Sequence, residues 1–432
     1  MAASNSSQAV PFLTYLTVFK ARLGVVNTVL GLTDFGYMPP ETLTKKLSAV
    51  FSERIPISLA DSANNGILNY LIEKRLVGSE RPRATGRYQD FTLTRASGKW
   101  RALSKAGEQL DAVAVYRTDV WFSDPALPST VGVPTPDNAE EVVELSRQLA
   151  VLTRAKNTWT AGGQLIAGLR KQGTNESRIE NPMVLGLEAP GLMRQVLAVD
   201  GLLIRQLLLH IVADSDSTIR RDVIALQLPA VAAKALEDAR RLRRPPPEIS
   251  AAKAFVELLK VTAAKRATQS GAPGVLEHRT SPRLEWLTDL GVLSKNGLAR
   301  NGFEYLLTQD TEQLVSEFSK VQDSDAWPEL TSLGYWRHSK WFGPLRAAHA
   351  RLDLATSLVE GYRVMRRSVG PASIRDVAFA ACLLCSDTTI SYPEMIHQLI
   401  QWAATTDGVT VSGGRYSRGP ELIHLAPKVL GE

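Results

Sequence analysis

Apolar residues recur at helical spacing through most of the chain, and in a few stretches the period shortens to two. Segment 42–52 carries Leu43, Leu47, Val50 and Phe51 on one face. Segment 62–77 carries Ile67, Leu68, Leu71, Ile72 and Leu76 at the i, i+3, i+4 spacing of a buried stripe. The period then falls to two. Tyr88, Phe91, Leu93, Trp100 and Leu103 flank Ala96-Ser97-Gly98-Lys99, which predicts a β-hairpin. Ser104 reads as the N-cap of a helix over 105–115, with Glu108 near the capping-box position. Together these elements make 41–118 one compact unit after an N-terminal arm, 1–40.

Residues 119–136 are rich in Pro, Ser and Thr and read as a linker. A helical domain over 137–247 follows, with helices expected at 138–155, 159–171, 190–213 and 217–243. Its end is marked by RRLRRPPP at 240–247. The most apolar window, 187–212, contains Arg194, Asp200, Arg205 and His210. Charge at bilayer depth is costly, so this window reads as a buried helix and no membrane partner is expected. A second compact unit spans 250–309 and a helical segment 310–370. A last unit, 371–432, ends in alternating residues over 408–425. The fold class expected is mainly α with small β-hairpins.

The order helix, helix, hairpin, helix over 41–116 resembles the winged-helix superfamily. The matching string is Trp100-Arg-Ala-Leu-Ser-Lys-Ala-Gly-Glu-Gln-Leu110, which looks like the end of the wing and the closing helix of MarR-like and PadR-like bacterial regulators. SPRLEWLTDLGVLSKNGLARNGFEYLL at 281–307 is similar, with a much shorter wing. In a third candidate, 374–425, segment 392–404 is the recognition helix and Gly413-Gly414-Arg415-Tyr416-Ser417-Arg418-Gly419 the hairpin tip. The resemblance implies several winged-helix domains joined by helical segments, and double-stranded DNA as the partner. Such a domain places a helix in the major groove and a wing on phosphates or the minor groove.

The residues suit that chemistry. Arg81, Arg83, Arg87, Arg95, Lys99, Arg101 and Lys105 fall in one short stretch opposed only by Asp90. Cations on phosphates release counterions and give sequence-blind, salt-dependent affinity. Within the recognition helix that the resemblance implies, Asn65, Asn69 and Lys74 are candidates for DNA contact, because Asn bonds adenine bidentately. Asn64 and Asn65 have a rival reading as helix openers. Arg415 and Arg418 on the glycine-rich tip suit a phosphate or minor-groove finger, or simply a tight hairpin. In the second unit Arg279 and Arg283 are offset by Glu277, Glu285 and Asp289, which suits a protein-binding module. The cluster Arg240, Arg241, Arg243 and Arg244 reads as a helix C-terminus complementing the dipole or as a phosphate-facing patch. The aromatic string 335–342 reads as core anchors or as a platform for unpaired bases.

Composition bounds the remaining classes. At 432 residues the chain exceeds one ordinary core, and 44% hydrophobic with 22% charged residues excludes a disordered chain. The net charge of +6 is compatible with polyanion binding. Two cysteines exclude a disulfide framework, and the N-terminus lacks a signal-peptide pattern, so a cytoplasmic location is expected. Cys382-Leu-Leu-Cys385 has metal-like spacing without a partner pair, so core packing is expected and no cofactor. A phosphate loop, a GxSxG elbow, an HExxH site, a deaminase signature and a [DE]-x-K nuclease core are all missing. Gly162-Gly163-Gln164 lies inside a helical pattern and carries no function. The expectation is a non-catalytic DNA-binding subunit of a larger bacterial assembly, with phage defence or chromosome maintenance suggested by analogy. The alternatives are a protein-protein adaptor, partnered or homo-oligomeric, and an enzyme with a cryptic site.

Overall fold

The most apolar stretch of the chain lies at the centre of the fold. In the computed structural model, which describes residues 23–52, 91–96, 99–104, 109–110, 139–173, 185–213, 218–268, 275–299, 302–321, 324–366, 370–413 and 421–431, the architecture is mainly helical with small antiparallel sheets. In the first part are α1 (Gly24–Leu32), α2 (Pro40–Ser52), β1 (Phe91–Ala96), β2 (Lys99–Ser104) and β3 (Gln109–Leu110). The helical body comprises α3 (Ala139–Gln148), α4 (Ala161–Gly173), α5 (Ala189–Ala213), β4 (Thr218–Arg220), α6 (Arg221–Arg241), α7 (Pro246–Thr268) and α8 (Val275–Asp289). After the hairpin β5 (Leu293–Ala299) and β6 (Gly302–Leu307) come α9 (Gln309–Val321), α10 (Trp327–His338) and α11 (Gly343–His349). The last part holds α12 (Leu354–Met365), β7 (Ala372–Ser373), α13 (Ile374–Leu384), α14 (Tyr392–Thr405), β8 (Val409–Ser412), β9 (Leu422–Leu425) and α15 (Pro427–Leu430).

By length and composition α5 could cross a membrane, yet most of it is buried against α4, α6, α9 and α10. Its charges explain why it belongs inside protein. Asp200 meets Arg283 of α8, Arg205 meets Asp238 of α6, and Arg194 meets Glu329 of α10 and Asp376 of α13. Each buried charge has a counter-charge on a different neighbouring helix, so the helix core is apolar while its contacts are specific. Within the segment read as an N-terminal arm, α1 buries Val25, Val26, Val29 and Leu30 against the body. The Leu23 amide donates to Asp289 Oδ2 at 2.9 Å.

Three helices end in the same hydrogen-bond pattern, and only one of them carries the glycine that would advertise it. At Gly291, φ is +73°, and the amides of Gly291 and Val292 donate to Thr288 and Leu287. Ala150 (φ 53°) and Arg243 (φ 51°) occupy the same left-handed position, with Val151 donating to Ser146 and Arg244 to Ala239. This closure satisfies the last free carbonyls of a helix. It corrects the helix expected over 138–155, which stops at Gln148. It also ends the helix expected over 217–243 at Arg241, and that helix begins only after strand β4.

The hairpin predicted around Ser97-Gly98 is present, with Ala96 opposite Lys99. Of the helix expected over 105–115, the described residues are Gln109 and Leu110, and these form strand β3. Ser104 is the last residue of β2, and Gln109 and Leu110 pair with Leu103 and Ala102. Here the free edge of β2 captures the backbone that local spacing assigned to a helix. Likewise 302–307 of the second unit is strand β6, and the helix starts at Gln309. Segments 62–77 and 414–420 lie outside the described residues.

The second and third sheets share one topology. A short strand precedes the helices and pairs with the last strand of a later hairpin, giving the orders β4-β6-β5 and β7-β9-β8. In the third, Ala372 pairs with Ile423 and Val409 with Leu425.

Candidate nucleic-acid interface

The C-terminal part builds its exposed helix from strong local signals. Ser373 caps α13 by accepting from the Asp376 amide. Ser391 and Glu394 form a complete capping box at the start of α14. Gly408, at φ +92°, turns the chain from α14 into β8. Nearly all of α13 is buried, whereas α14 buries only Tyr392, Met395 and Leu399. Its outer side displays Glu394, His397, Ile400, Gln401 and Ala404 at helical spacing. The Glu394 carboxylate is occupied by the Ser391 amide at 2.7 Å. His397 and Gln401, one turn apart, are hydrogen-bonded at 2.9 Å. The outer face is therefore mixed, with exposed Ile400 among its polar groups and no Lys or Arg on α14 itself.

Two arginines of the body fix this unit. Arg194 of α5 reaches Asp376 Oδ1 at 2.6 Å and Glu329 Oε1 at 2.9 Å, and stacks 5.1 Å from the Phe379 ring centroid. Burial opposes its charge, but Asp376 and Glu329 more than offset this and hold its pKa above the usual arginine value. Arg337 of α10 donates to the Ile390 carbonyl in the turn between α13 and α14. The outer face of α14 is thus held in one orientation relative to the helical body.

Of the DNA-contact residues expected from sequence, Arg95, Lys99 and Arg101 lie on the hairpin, paired with Trp100, Ala96 and Thr94. Asn65, Asn69, Lys74, Arg81, Arg83 and Arg87 lie outside the described residues, as do Arg415 and Arg418 between β8 and β9.

The second unit departs from its expected surface role. Residues 280–293, spanning most of α8, are buried on every side, so this stretch of the helix has no face to offer a groove. Arg283 is fully buried, with Nε 2.6 Å and Nη2 3.1 Å from the Asp200 carboxylate. Tyr305 donates to Glu285 at 2.7 Å beside it. The charges that looked like a balanced surface are core polar groups. Leu284, Trp286 and Leu287 of the helix and Leu290 just beyond it are buried with these groups, and the polar residues of α8 gave no signal in the sequence that they would be buried.

Other sequence candidates resolve into packing. Tyr335, Trp336 and Phe342 are core rings in tilted or edge contact, and of the large rings of that string only Trp341 is exposed. Gly162, Gly163 and Gln164 are buried in α4, where a side chain on Gly163 would strike the Val151 carbonyl. In the arginine cluster, Arg241 pairs with Asp238 and Arg244 with Glu248, while Arg240 and Arg243 are exposed. Among the described residues no group of three or more His, Cys, Asp or Glu side chains could hold a metal ion.

Cys382 and Cys385 are free and buried, and burial pushes the Cys382 thiol up to about 12. The thiolate is the reactive form, so at pH 8 the native protein is expected to resist a thiol-reactive dye and to react fully once unfolded. Rapid labelling of the folded chain would show that this part of α13 opens.

No family model, no curated protein and no solved structure matches this chain.

Proposed function

We propose that the chain is a non-catalytic protein that binds double-stranded DNA, and that its C-terminal part is a winged helix. The observation that carries the reading is the order α12-β7-α13-α14-β8-β9 with strands arranged β7-β9-β8 and one helix, α14, exposed along its outer side. In that arrangement α14 enters the major groove and the β8–β9 connection, with Arg415 and Arg418, reaches the phosphates. Gln401 and His397 supply donors and acceptors for base edges. Because α14 carries no cation, electrostatic affinity falls to Arg415 and Arg418, to exposed Arg375, and to the basic hairpin of Arg95, Lys99 and Arg101. The long helical body adds interaction surface and suits a subunit of a larger assembly.

The reading is tested by fluorescence anisotropy with duplex DNA, comparing the full chain with a variant carrying Arg415→Ala and Arg418→Ala. A second reading, a protein-binding adaptor, is favoured by the outer face of α14, which carries Glu394 and exposed Ile400 but no Lys or Arg. It prevails if the chain ignores duplex DNA at low salt while changes at His397 and Gln401 disrupt a protein complex. A further expectation is that the pure protein hydrolyses neither ATP nor DNA with Mg²⁺, since the phosphate loop and the [DE]-x-K core are missing. Turnover that disappears on changing one of the chain's own carboxylates would overturn the non-catalytic assignment.

A further inference from the structure

A second surface, on the opposite part of the sequence, combines an exposed ring with two cations. Residues 34–38, between α1 and α2, are zipped against 156–159, between α3 and α4. The Trp159 amide donates to the Asp34 carbonyl at 3.0 Å and the Met38 amide to the Lys156 carbonyl at 3.2 Å. Asn157, left-handed at φ 50° and fully buried, donates to the Met38 carbonyl at 2.9 Å. Its Oδ1 in turn accepts from Arg147 Nε at 2.9 Å and Nη2 at 2.7 Å. Trp159 Nε1 donates to Thr33 Oγ1 at 2.9 Å, and its ring packs edge-on against Phe35 at 5.1 Å. The double loop is therefore rigid, tied by backbone at both ends and by a buried asparagine in the middle.

On this frame Tyr37 is 64% exposed, among the most exposed large rings of the described residues. The pairing places it opposite Lys156 and Asn157. Arg154, Ala155 and Lys156 are all exposed at the tip of the facing turn. Among the described residues, Tyr37, Arg154 and Lys156 make no side-chain hydrogen bond or ion pair with the fold, and the nearest carboxylate in sequence, Asp34, is engaged by the Gly36 amide at 2.6 Å. The exposed Glu41 at the start of α2 is the other acidic group on this stretch. An exposed ring on a loop zipped by backbone bonds against the turn that carries two uncommitted cations fits a planar base with its phosphate. Stacking uses the π-face of any base, and the cations track the backbone.

We propose that this double loop binds an unpaired nucleotide, with the base stacked on Tyr37 and the phosphate held by Arg154 and Lys156. The inference goes beyond the duplex reading and does not depend on it. The test is fluorescence anisotropy of the full chain with labelled oligothymidylate, oligouridylate and an abasic oligomer. Tyr37→Ala is expected to weaken binding of the base-bearing oligomers by about tenfold, the loss of one base–ring stack. Tyr37→Phe should keep the wild-type affinity, because the ring remains. The double variant Arg154→Ala with Lys156→Ala should weaken all three oligomers and flatten their salt dependence. The abasic oligomer should bind the wild type weakly and show no further loss with Tyr37→Ala. Tyr37 is exposed, so an unchanged melting temperature confirms that the variant is folded. Binding of either base-bearing oligomer in this pattern supports the site, and a preference between them assigns DNA or RNA as its source.

The proposal is overturned if neither oligomer binds, if Tyr37→Ala binds like the wild type, or if Tyr37→Phe loses as much as Tyr37→Ala. It also falls if Tyr37→Ala leaves oligomer binding intact but abolishes self-association, which would make the patch a protein contact. Duplex affinity should be unchanged in Tyr37→Ala. Tyr37-dependent oligomer binding that persists when the Arg415 and Arg418 variant proves silent would remove the wing reading alone.

Discussion

Replacing Arg283 with Ala is expected to destabilise the protein by about 3–5 kcal/mol, a large share of the ~5–15 kcal/mol that holds a typical domain folded. Both partners of the Arg283–Asp200 pair are fully buried, and two hydrogen bonds join them at 2.6 and 3.1 Å. The guanidinium also donates to the Arg279 carbonyl and lies 5.8 Å from the Phe255 ring. Its removal takes this counter-charge from the Asp200 carboxylate, which is fully buried in α5. Most of the loss comes from that stranded charge rather than from the worth of the pair. Arg283→Met combined with Asp200→Leu should therefore recover most of the stability, since replacing both ions by apolar groups of similar size is often neutral. Urea denaturation of the single and double variants measures both effects. A single variant as stable as the wild type would mean that the α5–α8 contact is not as tight as drawn. A double variant no better than the single one would mean that packing, not charge, dominates.

Duplex DNA affinity is expected to fall by on the order of a hundredfold or more between about 50 and 200 mM salt, as neutralising about four to six phosphates requires. Changing Arg415 and Arg418 together to Ala should weaken binding to all sequences and reduce the slope of log affinity against log salt by about 2, since each phosphate contact contributes about one. Gln401→Ala should behave differently. It lies on the outer face of α14 and should cost affinity for preferred sequences while leaving the salt slope unchanged. The companion variant Arg95→Ala with Lys99→Ala removes cations that flank the two-residue turn of β1 and β2. If that variant carries the whole loss and the Arg415 and Arg418 variant carries none, the first hairpin is the reader. A flat salt response in the wild type would remove the electrostatic basis of either assignment.

Much of the local structure was legible in the chain. The apolar window interrupted by Arg194, Asp200, Arg205 and His210 marked α5 as a buried helix, because charges that cannot face lipid must face protein. Ser97-Gly98 between alternating residues set the register of the first hairpin. Ser391 with Glu394 set the start of α14 through two reciprocal bonds that need only local chain. The alternation over 408–425 and Gly408 set the β8–β9 arm. All of these are decided within a few residues, by caps, turns and periodicity.

What the sequence did not determine depends on partners far along the chain. Ala150 and Arg243, just past the ends of their helices, lack the glycine of Gly291 and are left-handed where Val151 and Arg244 close back onto the last turn. Strands β4 and β7 are three and two residues long, too short for any periodicity, and exist because β6 and β9 offer them an edge. For the same reason Gln109 and Leu110 became strand where spacing suggested helix. The charges of α8 looked solvated until α5 supplied Asp200 across 83 residues. Tyr37 and Lys156 gave no joint signal at all, since their apposition is made by backbone hydrogen bonds between loops more than a hundred residues apart. Local propensity is written residue by residue, whereas burial, edge pairing and charge apposition belong to the packed chain, where a distant segment decides whether a polar group meets water or a counter-charge.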